Sequence, residues 1–161
     1  MLSEFDSIVQ QHLDSHWHQV GFKTKQLLKE IKTLREILNS SLEYDAISFY
    51  NYISLLVEDA QGLSYQSSAY WLLSDSANIL VEVAKERALA SEANPKWKVL
   101  DSIVVECEQF RASKRCDGAI LILTDSRNSV VLLSAMLCLG ISEYLGRLAK
   151  VFVPEDQASK R

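Results

Sequence analysis

Between residues 20 and 38 the apolar side chains Leu27, Leu28, Ile31, Leu34 and Leu38 return every three or four positions. That is the period of one helix face, so the pattern predicts a helix with this stripe turned to a core. Lys25, Lys29 and Lys32 fall on the opposite face. Asp45 then supplies an N-cap for a second helix that buries Ile47, Phe49 or Tyr50, Ile53, Leu56 and Val57. A polar stretch at 61–68, with Gly62 in it, breaks the pattern. Residues 71–88 read as a third helix or a helix pair, with Ile79, Leu80 and Val83 inward, and 88–93 as a short linker.

Asn94-Pro95 places a capping side chain directly before a first-turn proline, a strong helix start. The helix it opens carries Trp97, Leu100, Ile103, Val104, Cys107 and Phe110 on one stripe. After a basic turn at 111–117, the run GAILIL at 118–123 is apolar on both faces, which predicts a buried strand. Asp125 or Ser126 caps the next helix, and Gly140 closes it. A last helix covers 142–152, and 154–161 is a loose tail. A strand buried on both faces needs neighbours on each side, yet the pattern supplies one good strand. The fold class that follows is mainly α with one α/β element: an interrupted α/β unit, or a sheet that a partner completes.

Composition changes this picture little. The chain has 161 residues, 48% apolar and 24% charged, which suits one folded domain. A net charge of −4 leaves any nucleic-acid contact to a local patch. One such patch stands out: Lys23, Lys25, Lys29, Lys32 and Arg35 are accompanied only by Glu30. The apolar run at 130–141 is too short to span a bilayer, and residues 1–4 lack the basic start of a signal peptide. Three cysteines without a C-x-x-C fit reduced thiols in the cytosol or nucleus.

Few residues point to catalysis. An acid at the end of an α/β strand often sits beside a ligand, so Asp125 is a candidate for the nucleophile of a small hydrolase. No second acid, histidine or glycine-rich loop accompanies it, which favours a plain helix cap worth about 1 kcal/mol. The same helix start, with Arg127, could hold a phosphate. No G-x-x-x-x-G-K-[ST] loop is present for a nucleotide. His12 and His16 share a helix face with His18 nearby, but no H-E-x-x-H or converging fourth ligand joins them, so no metal site is expected. The lysine face suits sequence-blind phosphate contact; the competing reading is a solvated face with pairs such as Lys32–Glu36. Trp17 and Trp97 head apolar stripes and read as core anchors rather than stacking platforms.

The ordered set of motifs resembles a known family. WHQVGFKTKQLLKEIKTLREIL (17–38), EYDAISFYNYISLL (43–56), the Trp71-Leu-Leu and Asp75-Ser76 pair, SEANPKWKVLDSIVVECE (91–108), AILILTDSR (119–127) and LGISEYLGRLAKVF (139–152) are similar, in the same order, to the central region of XPF-type DNA repair endonucleases. The most specific pieces are W-H-Q-x-G-x-K-T-K, Y-D-x-x-S/T-F and N-P-K-W. In that family the region belongs to an inactivated helicase-like module, a helical domain inserted between two RecA-like lobes. The resemblance implies a helical domain at 1–90, a partial second RecA-like lobe at 94–153 and a loose tail at 154–161. It would account for the lone strand, whose neighbours follow later in the family.

The resemblance also implies function. Family members incise one strand at junctions of single- and double-stranded DNA in nucleotide excision and crosslink repair, in the nucleus. The nuclease signature E-R-K-x-x-x-D is absent, since Glu86-Arg87-Ala88 lacks both the lysine and the aspartate. The chain is therefore expected to be inactive alone, with no cofactor of its own; Mg²⁺ or Mn²⁺ would belong to the nuclease domain. Its expected role is a non-catalytic scaffold that touches branched DNA weakly through Lys25, Lys29, Lys32 and Arg127 and docks repair proteins. The family's obligate heterodimer partner is expected to bind through a domain outside these residues, and no membrane is involved. The alternative is a stand-alone helical protein-interaction module.

Overall fold

The structure is a computed structural model and describes residues 8–9, 11–13, 15–62, 70–114, 118–124 and 126–152. Among the described residues between 22 and 151, six α-helices and a 3₁₀ turn follow one another: α1 (Phe22–Glu43), α2 (Ala46–Gly62), the turn Tyr70–Leu73, α3 (Asp75–Leu89), α4 (Pro95–Lys114), α5 (Arg127–Leu139) and α6 (Ile141–Val151). The mainly α class holds. No strand occurs among the described residues.

Caps set most boundaries. Asp45 accepts from the Ser48 amide at 2.9 Å and the Ser48 hydroxyl at 2.7 Å, so it opens α2 as its sequence position predicts. Ser74 caps α3, and Ser126 caps α5 by accepting from the Ser129 amide at 3.2 Å. Asp125, the other candidate for that cap, lies outside the described residues, as does the tail at 154–161. Gly140 has φ 79° and ψ 150°, a backbone that only glycine adopts readily. It turns the chain by 113° from α5 into α6. No single helix is long and apolar enough to cross a membrane among the described residues.

Two apolar clusters form. In the first, Ile37 of α1 meets Ile53, Val57 and Ala60 of α2, Leu72 of the 3₁₀ turn and Ala84 of α3. In the second, Trp97 of α4 packs with Met136 of α5 and with Tyr144 and Leu145 of α6. The Trp97 and Tyr144 rings stand edge to face at 5.6 Å, a favoured aromatic geometry. Trp97 is a core anchor, as its position implies.

The clusters meet at the corner between α1 and α2. Asn94, 5% exposed, donates from Nδ2 to the carbonyls of Leu42 (3.0 Å) and Tyr44 (3.1 Å). Its Oδ1 accepts from the Lys96 amide at 2.9 Å, which caps α4. Beside it the Ala46 amide donates to the Glu92 carbonyl at 3.1 Å. The stretch that reads as a linker is thus bonded to the fold at its end. Tyr144 reaches the same corner, where burial first and then the Asp45 carboxylate push its hydroxyl above the usual tyrosine range. Burial chiefly does the same to Tyr52.

Several inward faces differ from the sequence pattern. In α1 only Ile37 is buried, while Leu27 (61% exposed), Ile31, Leu34 and Leu38 face solvent. The reason is Glu30, which turns a polar edge inward to satisfy the 3₁₀ turn. In α3 the buried side chains are Ala77, Ala84 and Ala88, with Ile79 and Val83 exposed, because α3 lies close against α2 and only small side chains fit between them. Along α4 the stripe holds through Leu100, which packs on the second cluster, and fails beyond it: Ile103 and Phe110 are exposed, with no further described element over them. The buried strand is corrected too. Residues 118–124 form neither helix nor ladder, and Leu121 and Leu123 are 80% and 84% exposed. Without a paired neighbour an extended segment has nothing to complete its backbone hydrogen bonds.

Candidate nucleic-acid interface

The first half of α1 separates its charges by face. Glu30 Oε1 accepts from the Gln26 side chain at 2.9 Å and from the Tyr70 amide at 2.7 Å, while Oε2 accepts from the Trp71 amide at 3.1 Å. The one acid of the lysine stretch is therefore committed to capping the 3₁₀ turn. At about 100° per residue, Lys25, Lys29 and Lys32 lie roughly 100–160° around the helix from Glu30 and within about 60° of one another. Lys32 is exposed and Lys25 and Lys29 half-buried. Among the described residues Lys32 forms no ion pair with Glu36, although Glu36 stands exposed on the same face four residues on.

The row also has the right length for a nucleic-acid strand. Seven residues of helix rise about 10 Å, and one strand of B-form DNA carries a charge about every 3.4 Å of axis. Laid along the duplex axis, a row of that length covers about three phosphate steps of one strand.

The segment at 15–20, which leads into this helix, is a chain of turns. The His16 amide donates to the Leu13 carbonyl at 3.0 Å, the Gln19 amide to His16 at 2.8 Å and the Val20 amide to Trp17 at 3.3 Å. These turns hold Trp17 at the surface, 44% exposed, with the Lys25 Nζ 5.1 Å from its ring centroid. The core-anchor reading of Trp17 is therefore corrected: a turn segment offers no helix face to bury an indole. The signal lay in its neighbours, because Ser15, His16, His18 and Gln19 give an aromatic in this position no apolar company.

Arg127 is exposed at the first position of α5, apart from the lysines. Its helix start is fixed to the far end of α1: the Ser129 hydroxyl donates to the Glu43 carboxylate, and Asn128 donates to the Tyr44 hydroxyl at 3.1 Å. From Lys32 to Glu43 is about 16 Å of helix, so the four basic residues do not make one patch. Glu43 also places the chain's own carboxylate where a phosphate at this helix start would sit.

The remaining candidates stay apart. His12 Nδ1 lies 3.2 Å from the Ile8 carbonyl, His16 Nδ1 lies 2.8 Å from Ser15 Oγ, and His18 Nε2 lies 3.3 Å from the Gln19 amide nitrogen. No three His, Cys, Asp or Glu side chains converge among the described residues. Glu86 and Arg87 point outward on α3 and Ala88 is buried, so this segment does not fit a nuclease metal site. On the other side of α1, the exposed leucines border a groove of about 820 Å³ lined by Leu34, Leu38, Leu42, Phe49, Leu80 and Val83.

No family model matches the chain. Individual relatives do. DNA repair protein rad16 of Schizosaccharomyces pombe is 34% identical over 161 residues, 88% of this chain and 17% of that protein. DNA repair endonuclease UVH1 of Arabidopsis thaliana is 36% identical over 87 residues, 54% of this chain and 9% of that one. DNA repair endonuclease XPF of Cricetulus griseus is 26% identical over 186 residues, 97% of this chain and 20% of that protein. The chain is thus XPF-type sequence over most of its length, as its motifs imply. It spans a fifth or less of the length of these curated relatives.

Proposed function

We propose that this chain is the helical module of an XPF-type DNA repair endonuclease, together with the opening elements of the second RecA-like lobe. It serves as a non-catalytic scaffold that holds branched DNA and docks repair proteins in the nucleus. The single observation that carries the reading is the row Lys25, Lys29 and Lys32 on XPF-type sequence, with Glu30, the acid within that stretch, turned away to the 3₁₀ turn. Arg127 is a secondary contact at most, given the Glu43 carboxylate beside its helix start. Two separate apolar clusters, one on either side of residue 90, support a division near there. Incision, with its metal ions and the obligate partner, belongs to other domains in this reading.

Replacing Lys25, Lys29 and Lys32 with alanine tests it. Binding to a splayed-arm DNA, followed by anisotropy over a salt series, should weaken for all sequences alike. The slope of log K against log[salt] should flatten by about 0.9 for each duplex phosphate that is no longer neutralised. The fold survives, because none of the three belongs to either cluster. An unchanged slope would make the row a solvated face. It would favour the second reading, a protein-interaction module working through the apolar groove beside Leu34, Leu38 and Phe49.

A further inference from the structure

A tryptophan half out in water is costly, since burying a large apolar side chain is worth roughly 1.5–3 kcal/mol. Trp17 stays exposed although three turn bonds hold the segment around it, one of them to its own carbonyl. The segment that carries it is thus held by local backbone bonds. What it has for company is cationic: Lys25 stands over its ring, and Lys29 and Lys32 continue along the same flank of α1. An aromatic ring at the head of a row of ammonium groups is the arrangement by which proteins hold single strands. The ring stacks on a base and the cations follow the backbone.

We infer that Trp17 is a stacking platform for an unpaired nucleobase, and that it turns the lysine row from a general phosphate contact into a site preferring single-stranded DNA. The inference rests on the proposed DNA contact of that row. In duplex the bases are stacked on each other and offer the indole no face, so only the lysines are engaged. In a single strand a base lies against the exposed part of the ring and its flanking phosphates run towards Lys25, Lys29 and Lys32. The polar side chains on both sides, His16, His18 and Gln19, are exposed and leave the approach open. At a fork the site marks the unpaired arm, which gives a structure-specific protein polarity on its substrate without any base sequence being read.

The test compares Trp17→Ala with the triple lysine variant on two probes, an oligothymidylate of about fifteen nucleotides and a blunt duplex of random sequence. Trp17→Ala should weaken the oligothymidylate by roughly 5- to 150-fold, leave duplex affinity within about twofold and leave the salt slope unchanged. The lysine variant should weaken both probes and flatten both slopes. Quenching of indole fluorescence by the oligothymidylate should vanish in Trp17→Leu, which keeps an apolar side chain and reports on stacking directly. If Trp17→Ala binds the oligothymidylate like the parent while the lysine variant loses affinity, the stacking platform is refuted and the phosphate contact stands. If the parent binds neither probe, both readings fail. If both variants lose the duplex alike, Trp17 only positions Lys25, and the platform is refuted.

Discussion

Asn94 gives the sharpest test of how the two clusters are joined. As a helix cap, asparagine and aspartate are interchangeable, so a side chain that did nothing more would accept Asn94→Asp without loss. Here the amide does two jobs: Oδ1 caps α4 through Lys96, and Nδ2 donates to both the Leu42 and the Tyr44 carbonyls from a site that is nearly closed to water. Asn94→Ala loses three hydrogen bonds at about 1 kcal/mol each, or roughly 2–4 kcal/mol in all. Asn94→Asp keeps the cap but sets a carboxylate against two carbonyl oxygens, a buried uncompensated charge that costs about 3–5 kcal/mol. The aspartate should therefore be no better than the alanine. Urea denaturation read by tryptophan fluorescence and by helical circular dichroism would give both numbers. The sign with pH is diagnostic. Burial and the facing carbonyls raise the introduced carboxyl's folded-state pKa above its unfolded value, so the folded variant holds its proton more tightly. The variant's stability relative to the parent should then recover as pH falls and be lost as pH rises through that raised value. Asn94→Asp lying within about 0.5 kcal/mol of the parent at neutral pH would reduce Asn94 to a cap and refute the joint.

Two further outcomes follow from the same region. Tyr144 has its folded pKa raised by burial and by Asp45, so it contributes stability that is present below the ordinary tyrosine range and lost as pH rises through the raised value; Tyr144→Phe should remove that part of the alkaline loss in a pH series of urea midpoints. Gly140→Ala should cost about 1–3 kcal/mol from backbone strain alone, since an added methyl would meet nothing within 4 Å, and a thermal unfolding midpoint equal to the parent's would show that the turn relaxes freely.

What could be read from the sequence was local. The caps at Asp45, Asn94 and Ser126, the closing glycine at 140 and the apolar face of α2 depend on neighbours within a turn or two, and each stands where its residues indicate. The rotation of α1 was not legible, because it depends on Glu30 meeting backbone amides 40 and 41 positions away. A leucine stripe states that one face is apolar, not that the chain itself covers it. The same limit hides the alanine face of α3, whose small side chains weigh little in an apolar pattern beside Ile79, Leu80 and Val83. At the candidate site the lysine row was legible and keeps its one-sided character. Trp17 departs from the core-anchor reading because its immediate polar neighbours Ser15, His16, His18 and Gln19 matter more than the apolar stripe that starts ten residues later.

The alanines of α3 carry a consequence for variation in this region. In a core of leucines the dangerous changes are those that remove atoms and leave holes. Where Ala84 packs onto α2 and Ala77 and Ala88 are closed from water on the same helix, there is almost nothing to remove, and each added methylene has to push packed neighbours apart. Tolerance is thus inverted along this helix: Ile79 and Val83, large and exposed, can shrink at little cost, while the three smallest side chains cannot grow. A harmful substitution here would be one that looks conservative by polarity, such as Ala84→Val, and a scan that only truncates side chains would pass over the most sensitive positions in the module.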